Sequence, residues 1–227
     1  MNLAEHYNQL YKTSSDTILN GNYDLDAKIN SVSDSRFGIA LLLRPSEKIK
    51  TNIKQFLNEL KAIEPNQYYY PDSDIHITVM SIISCYEGFS LEKIDIKDYI
   101  KIIQKSVKEL REIKIDFKGV TASNSAIMIQ GFPSDESLND LRNKLRKNFK
   151  SSALEQSIDS RYSIATAHST VIRFTEKLQN TKKLMDVVEQ FRNYNFGEFT
   201  ANKLELVFND WYQRKKNTID LAEFNLS

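Results

Sequence analysis

Two apolar stretches of this chain share one pattern: Ile75-His76-Ile77-Thr78-Val79-Met80-Ser81-Ile82-Ile83 and Ala167-His168-Ser169-Thr170-Val171-Ile172-Arg173-Phe174. Each contains the tetrapeptide His-x-Thr-Val within a run that is typical of a buried strand. Side chains two residues apart in a strand point to the same face, so each stretch is predicted to offer one imidazole and one hydroxyl to a single side of a sheet. The two histidines are 92 residues apart, which fits one strand-helix-strand lobe and predicts a structurally duplicated protein.

Helical and strand periodicities alternate through the rest of the chain, which predicts an α+β protein. Residues 37–43 form a continuous apolar run, as in a strand buried on both faces. The segments 203–208 and 218–224 predict a hairpin across 214–217. The other predicted elements are antiparallel strands at 113–118 and 126–130 joined by a turn at 123–125, and helices built on 49–60, 99–110, 133–149 and 184–191, the last running to about 195–197, where Gly197 stops it.

Composition and charge exclude several classes of protein. An apolar fraction of 41% with 27% charged residues describes a globular chain rather than a disordered or fibrous one. The net charge of +1 argues against non-specific attraction to long nucleic acid. The single Cys85 cannot form an internal disulfide, and the sequence has neither a signal-peptide pattern at its start nor about 18 consecutive apolar residues. We therefore expect a cytoplasmic protein with no membrane association and no obligatory protein partner.

The doubled motif resembles the 2H phosphoesterase superfamily, whose members carry two His-x-Thr or His-x-Ser motifs on strands that face each other across a cleft. The second motif continues to Arg173 and is similar to the form His-x-Thr-x-x-Arg of the RNA-ligase-like and cyclic phosphodiesterase branch. The resemblance covers about residues 36–227. It implies one bilobal, pseudo-duplicated α+β domain over that range, with antiparallel sheets lining a central cleft and helices on the outside.

Residues 1–35 fall outside the resemblance and are polar, with several turn-forming segments. Within them, Leu3, Tyr7, Leu10 and Tyr11 recur at helical spacing. We predict that this N-terminal extension is a short docking helix followed by a loop, which caps the cleft or mediates self-association.

The paired residues also suit phosphodiester chemistry on physical grounds. In-line attack needs one proton taken from the incoming oxygen and one given to the departing oxygen, and two imidazoles can serve both needs. Hydroxyls can donate to the non-bridging oxygens, and a guanidinium adds a planar positive group. We predict that His76 and His168 are the acid and base in an order left open, that Thr78 and Thr170 bind the phosphate, and that Arg173 contacts it.

Arg173 poses a problem of parity. It lies five positions after His168, so in a regular strand its side chain would point to the opposite face. A β-bulge or the end of the strand must turn it back, or else it serves the structure instead.

Plainer interpretations stay open at this point. Either His-x-Thr pair taken alone is explained as a buried pair of residues whose hydrogen bonds are satisfied. A metal site formed by His76, His168 and Asp74 is another alternative, although Asp74 better fits a turn. Basic segments at 142–147 and 214–216 are expected to be solvated faces, with contact to a nucleotide backbone as the alternative. Aromatic residues available for base stacking are Phe37, Tyr68, Tyr69, Tyr70, Tyr86 and Trp211, but core packing is the default expectation for Phe37 and Trp211. His6 is expected on the surface and Cys85 as an inert core residue.

The sequence and the resemblance together imply a phosphoric diester hydrolase that works without metal or cofactor. The expected substrate is a cyclic phosphate or a 2′–5′ phosphodiester of a small nucleotide or an RNA end. One alternative is an RNA end-joining, 2′–5′ ligase-like enzyme with the same residues. Another is a catalytically idle module that only binds nucleotides.

Overall fold

The computed structural model describes residues 2–226. Met1, the first residue of the predicted extension 1–35, and Ser227, the last residue of the predicted domain 36–227, lie outside the described residues. The described chain contains five α-helices: α1 Leu3–Leu19, α2 Glu47–Ile63, α3 Ile96–Val107, α4 Ser137–Lys150 and α5 Thr181–Gln190. It contains nine strands: β1 Arg36–Leu43, β2 Tyr68–Tyr69, β3 Ile77–Glu87, β4 Ile113–Ser123, β5 Ala126–Pro133, β6 Ser169–Arg173, β7 Asn195–Ala201, β8 Lys203–Asp210 and β9 Ile219–Asn225.

The strands form two antiparallel sheets, which confirms the predicted α+β class and the duplicated two-sheet architecture. The four-stranded sheet has the order β3-β1-β8-β9, and the five-stranded sheet has the order β2-β6-β5-β4-β7. His76 comes directly before β3 and His168 comes directly before β6. The two motifs therefore come from different sheets and enter their strands at equivalent positions.

Apolar spacing explains the arrangement of the elements that support the site. The continuous run of β1 is buried and pairs with β3 on one side and β8 on the other. Helix α2 begins after Ser46 and buries Ile49, Ile53 and Phe56, which recur at helical spacing. The predicted antiparallel pairs β4–β5 and β8–β9 are both present. Strand β3 and helix α3 keep their predicted places with boundaries shifted by a few residues.

The region after α5 corrects one prediction. Helix α5 ends at Gln190, and Gly197 does not stop it but lies inside β7, the edge strand beside β4. Its φ is +106°, and a Cβ there would lie 3.1 Å from Ile49 Cδ1 of α2. The glycine therefore lets the strand approach the helix closely, in a backbone conformation that disfavours other residues.

Tyr68 and Tyr69 form the short strand β2, which pairs with β6. The helix of the N-terminal extension is longer than the predicted short helix, because α1 has 17 residues. Tyr7 is buried, and its hydroxyl donates to the Gly131 carbonyl at 3.2 Å. Further along, the amide of Asp26 donates to the Phe174 carbonyl at 2.7 Å, which brings the extension to the end of β6. Within residues 2–226, no helix is long and apolar enough to cross a membrane.

Candidate active site

Both motif strands carry a β-bulge at the same place. In β3, Thr78 pairs with Leu42 of β1 and Met80 pairs with Leu41, which leaves Val79 as an extra residue. In β6, Thr170 pairs with Met128 of β5 and Ile172 pairs with Ile127, which leaves Val171 as the extra residue. An extra residue resets the alternation, so the fifth residue after each histidine returns to the face of the histidine. The bulge at Val171 thereby resolves the parity problem of Arg173.

The five predicted site residues meet at one cavity of about 190 Å³. Its wall contains two arginines, and no acidic residue of 2–226 lines it, so the cavity suits an anion. The lining residues are Ala40, Tyr70, His76, Thr78, Ser81, Ile83, Cys85, Arg161, Tyr162, Ile164, His168, Thr170, Arg173, Asn209, Trp211, Tyr212 and Gln213.

Each histidine is held through its Nδ1 atom. Nδ1 of His76 lies 2.7 Å from the carbonyl oxygen of Asp74, and because a carbonyl can only accept, Nδ1 carries the proton in this bond. Nδ1 of His168 lies 2.7 Å from Oγ1 of Thr166, a hydroxyl that can donate or accept. In both rings Nε2 has no hydrogen bond to another residue of the described chain and is left for a substrate.

Burial keeps both imidazoles neutral. It lowers the pKa of His76 to about 4, with the charges of Arg44 and Arg173 adding to the effect and the hydrogen bond to Asp74 opposing it. Burial also lowers the pKa of His168 to about 4, and the charges of His76, Arg142 and Arg173 add to it. A phosphate anion between the rings would favour the protonated form, so substrate binding itself can charge one histidine.

The two threonine hydroxyls are free to bind a ligand. Thr78 and Thr170 both line the cavity, and neither hydroxyl is hydrogen bonded to another residue within 2–226. Each lies two residues after a histidine on the same face of its strand. A phosphate between the motifs would therefore have one hydroxyl donor on each side.

Arg173 is oriented by residues far away in the chain. Its Nε donates to the hydroxyl of Tyr70 at 3.0 Å, and its Nη1 donates to Oδ2 of Asp26 at 3.1 Å. The other carboxylate oxygen of Asp26 accepts from the Tyr212 hydroxyl at 2.5 Å. The N-terminal extension thus contributes an acidic residue that fixes an arginine of the cavity wall.

Arg142 of α4 connects the backbone of the first motif to the segment just before the second. Its buried guanidinium donates to the carbonyls of Val79 (3.0 Å), Thr78 (3.1 Å) and Thr166 (2.7 Å). No carboxylate of the described chain lies within 4.0 Å of it, and burial lowers its pKa only to about 10. The predicted solvated face at 142–147 is therefore wrong at its first residue, which stays cationic inside the protein.

The remaining candidates separate into structural and cavity residues. Asp74 does not line the cavity: its carboxylate accepts from Ser73 and from the amide of Lys215, as the predicted turn residue would. Within residues 2–226 no three His, Cys, Asp or Glu side chains are grouped as metal ligands. Phe37 stacks on Phe208 at 4.9 Å, and both rings pack against the core. Trp211 does not take the core position expected for it but lines the cavity, as Tyr70 does.

Several wall residues carried no sequence signal. Tyr212, Gln213 and Asn209 come from the end of β8 and the turn after it, and Arg161 comes from the irregular segment between α4 and β6. Only the neighbouring Trp211 is singled out by its residue type. Their place in the cavity depends on contacts between distant parts of the chain.

Comparisons with known proteins agree with this geometry. The sequence model of the AKAP7 2'5' RNA ligase-like domain family matches residues 37–217. This chain belongs to that family. The match confirms the resemblance to the 2H phosphoesterase superfamily and includes both motifs and their bulges. Asp26 and α1 lie outside the matched range.

Solved structures share the fold of this AKAP7 2'5' RNA ligase-like domain. TT0787 of Thermus thermophilus has a TM-score of 0.59 at 14% identity, over 84% of this chain and 97% of the other. LigT of E. coli in complex with 3′-AMP has a TM-score of 0.56 at 12% identity, over 85% of this chain and 99% of the other. A search of curated protein sequences gave no match.

Proposed function

We propose that this chain is a metal-independent phosphodiesterase that acts on a cyclic phosphate or a 2′–5′ phosphodiester of a nucleotide or an RNA end. The observation that supports this most is the meeting of two His-x-Thr pairs at one cavity with Arg173 in its wall and no acidic lining residue within the described chain. The phosphoesterase and RNA-ligase-like character of the family supports the reaction class. The cavity of about 190 Å³ and the net charge of +1 favour a small substrate or a chain end.

In the proposed reaction one neutral histidine takes a proton from the attacking water as its oxygen bonds to phosphorus. The other histidine, protonated, gives its proton to the ester oxygen as the P–O bond breaks. Thr78 and Thr170 donate to the non-bridging oxygens, where charge accumulates. Arg173, held by Tyr70 and Asp26, presents a fixed positive charge to the same phosphate. The reaction adds water across the P–O bond and releases the leaving group in its protonated form, so it needs no oxidant or reductant.

The experiment is a substrate panel of 2′,3′-cyclic nucleotides, linear 2′–5′ dinucleotides and cyclic dinucleotides, assayed with a chelator present. The intact protein is compared with the His76→Ala/His168→Ala double variant. His6→Ala is the matched control, because His6 is an exposed histidine on α1. We expect turnover that survives chelation, persists in the control and disappears in the double variant.

Other results would support the alternatives. Incubation of ends bearing a 2′,3′-cyclic phosphate with ends bearing a 5′-hydroxyl would reveal joined products if the chain is a 2′–5′ ligase-like enzyme. Tight nucleotide binding with no turnover over long incubation would indicate an idle binding module. Loss of activity on chelation would contradict the proposed metal-independent mechanism.

We also propose that residues 1–35 are an N-terminal extension of a single catalytic domain at 36–227. Its helix α1 packs on β4 and α5. The support for a role at the site is the contact of Asp26 with Arg173 and Tyr212. In this proposal the extension acts at the cleft through the carboxylate of Asp26, which orients Arg173 of the cavity wall.

A further inference from the structure

Three arginines that line the cavity or stack on its aromatic wall residues are each paired with a carboxylate. Arg173 is paired with Asp26 at 3.1 Å, Arg214 with Asp210 at 2.6 Å, and Arg36 with Asp34 at 2.7 Å. Arg161 also lines the cavity, but no Asp or Glu of residues 2–226 lies within 4.0 Å of its guanidinium. Its charge is therefore available to a ligand.

Arg161 is nevertheless held in place. Its guanidinium carbon lies 4.3 Å from the ring centre of Trp211, and Nη2 donates to the carbonyl of Cys85 at 2.9 Å. Arg36 stacks on the same indole at 4.5 Å but is bound by Asp34 through two hydrogen bonds. The stack on Trp211 reduces the freedom that Arg161 would lose on binding an anion.

Arg161 stands where the main cavity adjoins a second one. The smaller cavity, of about 60 Å³, shares Ser81, Arg161, Tyr162 and Ile164 with the first. Further serine hydroxyls at 84, 157 and 160 line it. One acidic residue, Asp159, lies in its wall and is paired with Arg146 at 2.8 Å, so its charge is already compensated.

We propose that Arg161 binds a second phosphate of the substrate, apart from the phosphate that lies between the two histidine motifs. The planar guanidinium fork and the neighbouring hydroxyls match the oxygens of a phosphate monoester. The preferred substrate is then a nucleotide or short oligonucleotide that carries a terminal phosphate besides the reacting diester. This inference rests on the proposed function for the position of the reacting phosphate.

The test uses matched pairs of ligands with and without a 5′-phosphate. The first pair is a 2′,3′-cyclic nucleotide and its 5′-phosphorylated form, compared by kcat/KM. The second pair is a nucleoside 3′-phosphate and the 3′,5′-bisphosphate, compared by calorimetric Kd, which needs no turnover. We expect the 5′-phosphate to improve both quantities by about tenfold or more in the intact protein, as for hydrogen bonds to a charged group.

In Arg161→Gln the preference for the 5′-phosphorylated ligand should fall to within about twofold. Arg161→Lys should keep part of the preference. The control is Arg111→Gln, which removes the same charge from an exposed position outside both cavities. No preference in the intact protein, or the same preference in Arg161→Gln, would overturn the inference. Absence of turnover on both cyclic substrates would contradict the proposed function alone, because the Kd pair still reports on Arg161.

Discussion

The two His-x-Thr motifs have the same backbone and different surroundings. Both enter a strand from an irregular segment, and both have a bulge at the valine that follows the threonine. Nδ1 of His76 is held by a backbone carbonyl, whereas Nδ1 of His168 is held by a side-chain hydroxyl. The bulge brings Ser81 to the cavity in the first motif and Arg173 in the second. The backbone is duplicated, but the electrostatic environment is not.

That difference favours different roles for the two rings. The carbonyl of Asp74 accepts a hydrogen bond from Nδ1–H and stabilises the imidazolium of His76. Nδ1 of His168 contacts only the Thr166 hydroxyl, which can donate or accept, and the charges of His76, Arg142 and Arg173 all disfavour protonation of His168. We therefore propose that His76 is the general acid and His168 the general base in hydrolysis.

The largest predicted effect is the loss of kcat on substitution of either histidine, and the choice of leaving group distinguishes the roles of the two. His76→Ala and His168→Ala should each lower kcat by about 10²–10⁴-fold on a substrate with an alkoxide leaving group. On an aryl diester with an acidic phenol as leaving group, which needs no proton, the His76 variant should recover most of its loss. The His168 variant should not recover. Recovery of the His168 variant alone would reverse the assignment, and losses below about tenfold in both would contradict acid–base catalysis by this pair.

The next effect concerns the fifth residue after each histidine. Arg173→Ser gives the second motif the residue that the first motif has at Ser81. We expect kcat/KM to fall by about 10–100-fold because a charged hydrogen-bond donor to the phosphate is lost, with partial activity in Arg173→Lys.

Ser81→Ala is the matched change in the first motif and should cost less than about threefold, as for a neutral hydrogen bond. Thermal unfolding of each variant separates this effect from loss of the ion pair between Arg173 and Asp26. Equal losses in Arg173→Ser and Ser81→Ala would show that the two positions are equivalent.

The pH dependence follows from the low pKa values of about 4 in the free protein. The active pair needs one protonated and one neutral ring, so kcat/KM should fall as pH rises from about 5 to 7. A bound phosphate raises the pKa of the acid, so the optimum of kcat should lie at higher pH than that of kcat/KM. The measurement is the pH profile of kcat and of kcat/KM on a diester that does not itself titrate in this range. If the optimum of kcat coincides with that of kcat/KM at neutral pH, the prediction is contradicted.

The same pKa values set a limit on the acidic side. Histidine pKa values are near 6.5 in an unfolded chain, so between pH 6.5 and 4 the unfolded chain binds protons that His76 in the folded chain does not bind. The free energy of unfolding therefore falls as pH drops from 6.5 towards 4. Unfolding curves at each pH therefore have to accompany the rate profile, so that a loss of folded protein is not mistaken for a catalytic titration.

Local patterns in the sequence predict the motifs and most of the elements. His76 with Thr78 and His168 with Thr170 share a face because two-residue alternation is a local property of a strand. Helices α2 and α4 have clear apolar stripes. Strand β7 escapes prediction because it contains Gly197, whose residue type alone favours the end of a helix.

What the sequence leaves open depends on contacts between distant residues. The bulge at Val171 has no sequence signature, so the direction of Arg173 could not be predicted. Arg142 looks like part of a charged helix face, yet it bonds to carbonyls of Thr78 and Val79, more than 60 residues earlier. Asp26 reaches Arg173 across 147 positions. Such pairings follow from the packed fold and are absent from any local window.

A smaller effect than that at Arg173 is predicted for the hydrogen bond to His168, which is the feature that most clearly distinguishes the two motifs. The partner of His76 is a backbone carbonyl that no substitution removes, but the partner of His168 is the Thr166 hydroxyl, 2.7 Å away. Thr166→Val keeps the shape and removes the hydrogen bond, so kcat should fall by about 3–10-fold with little change in KM. Thr166→Ser should restore the rate, since it returns the hydroxyl. A Ser variant as slow as the Val variant would show that the methyl packing of Thr166, and not its hydrogen bond, orients His168.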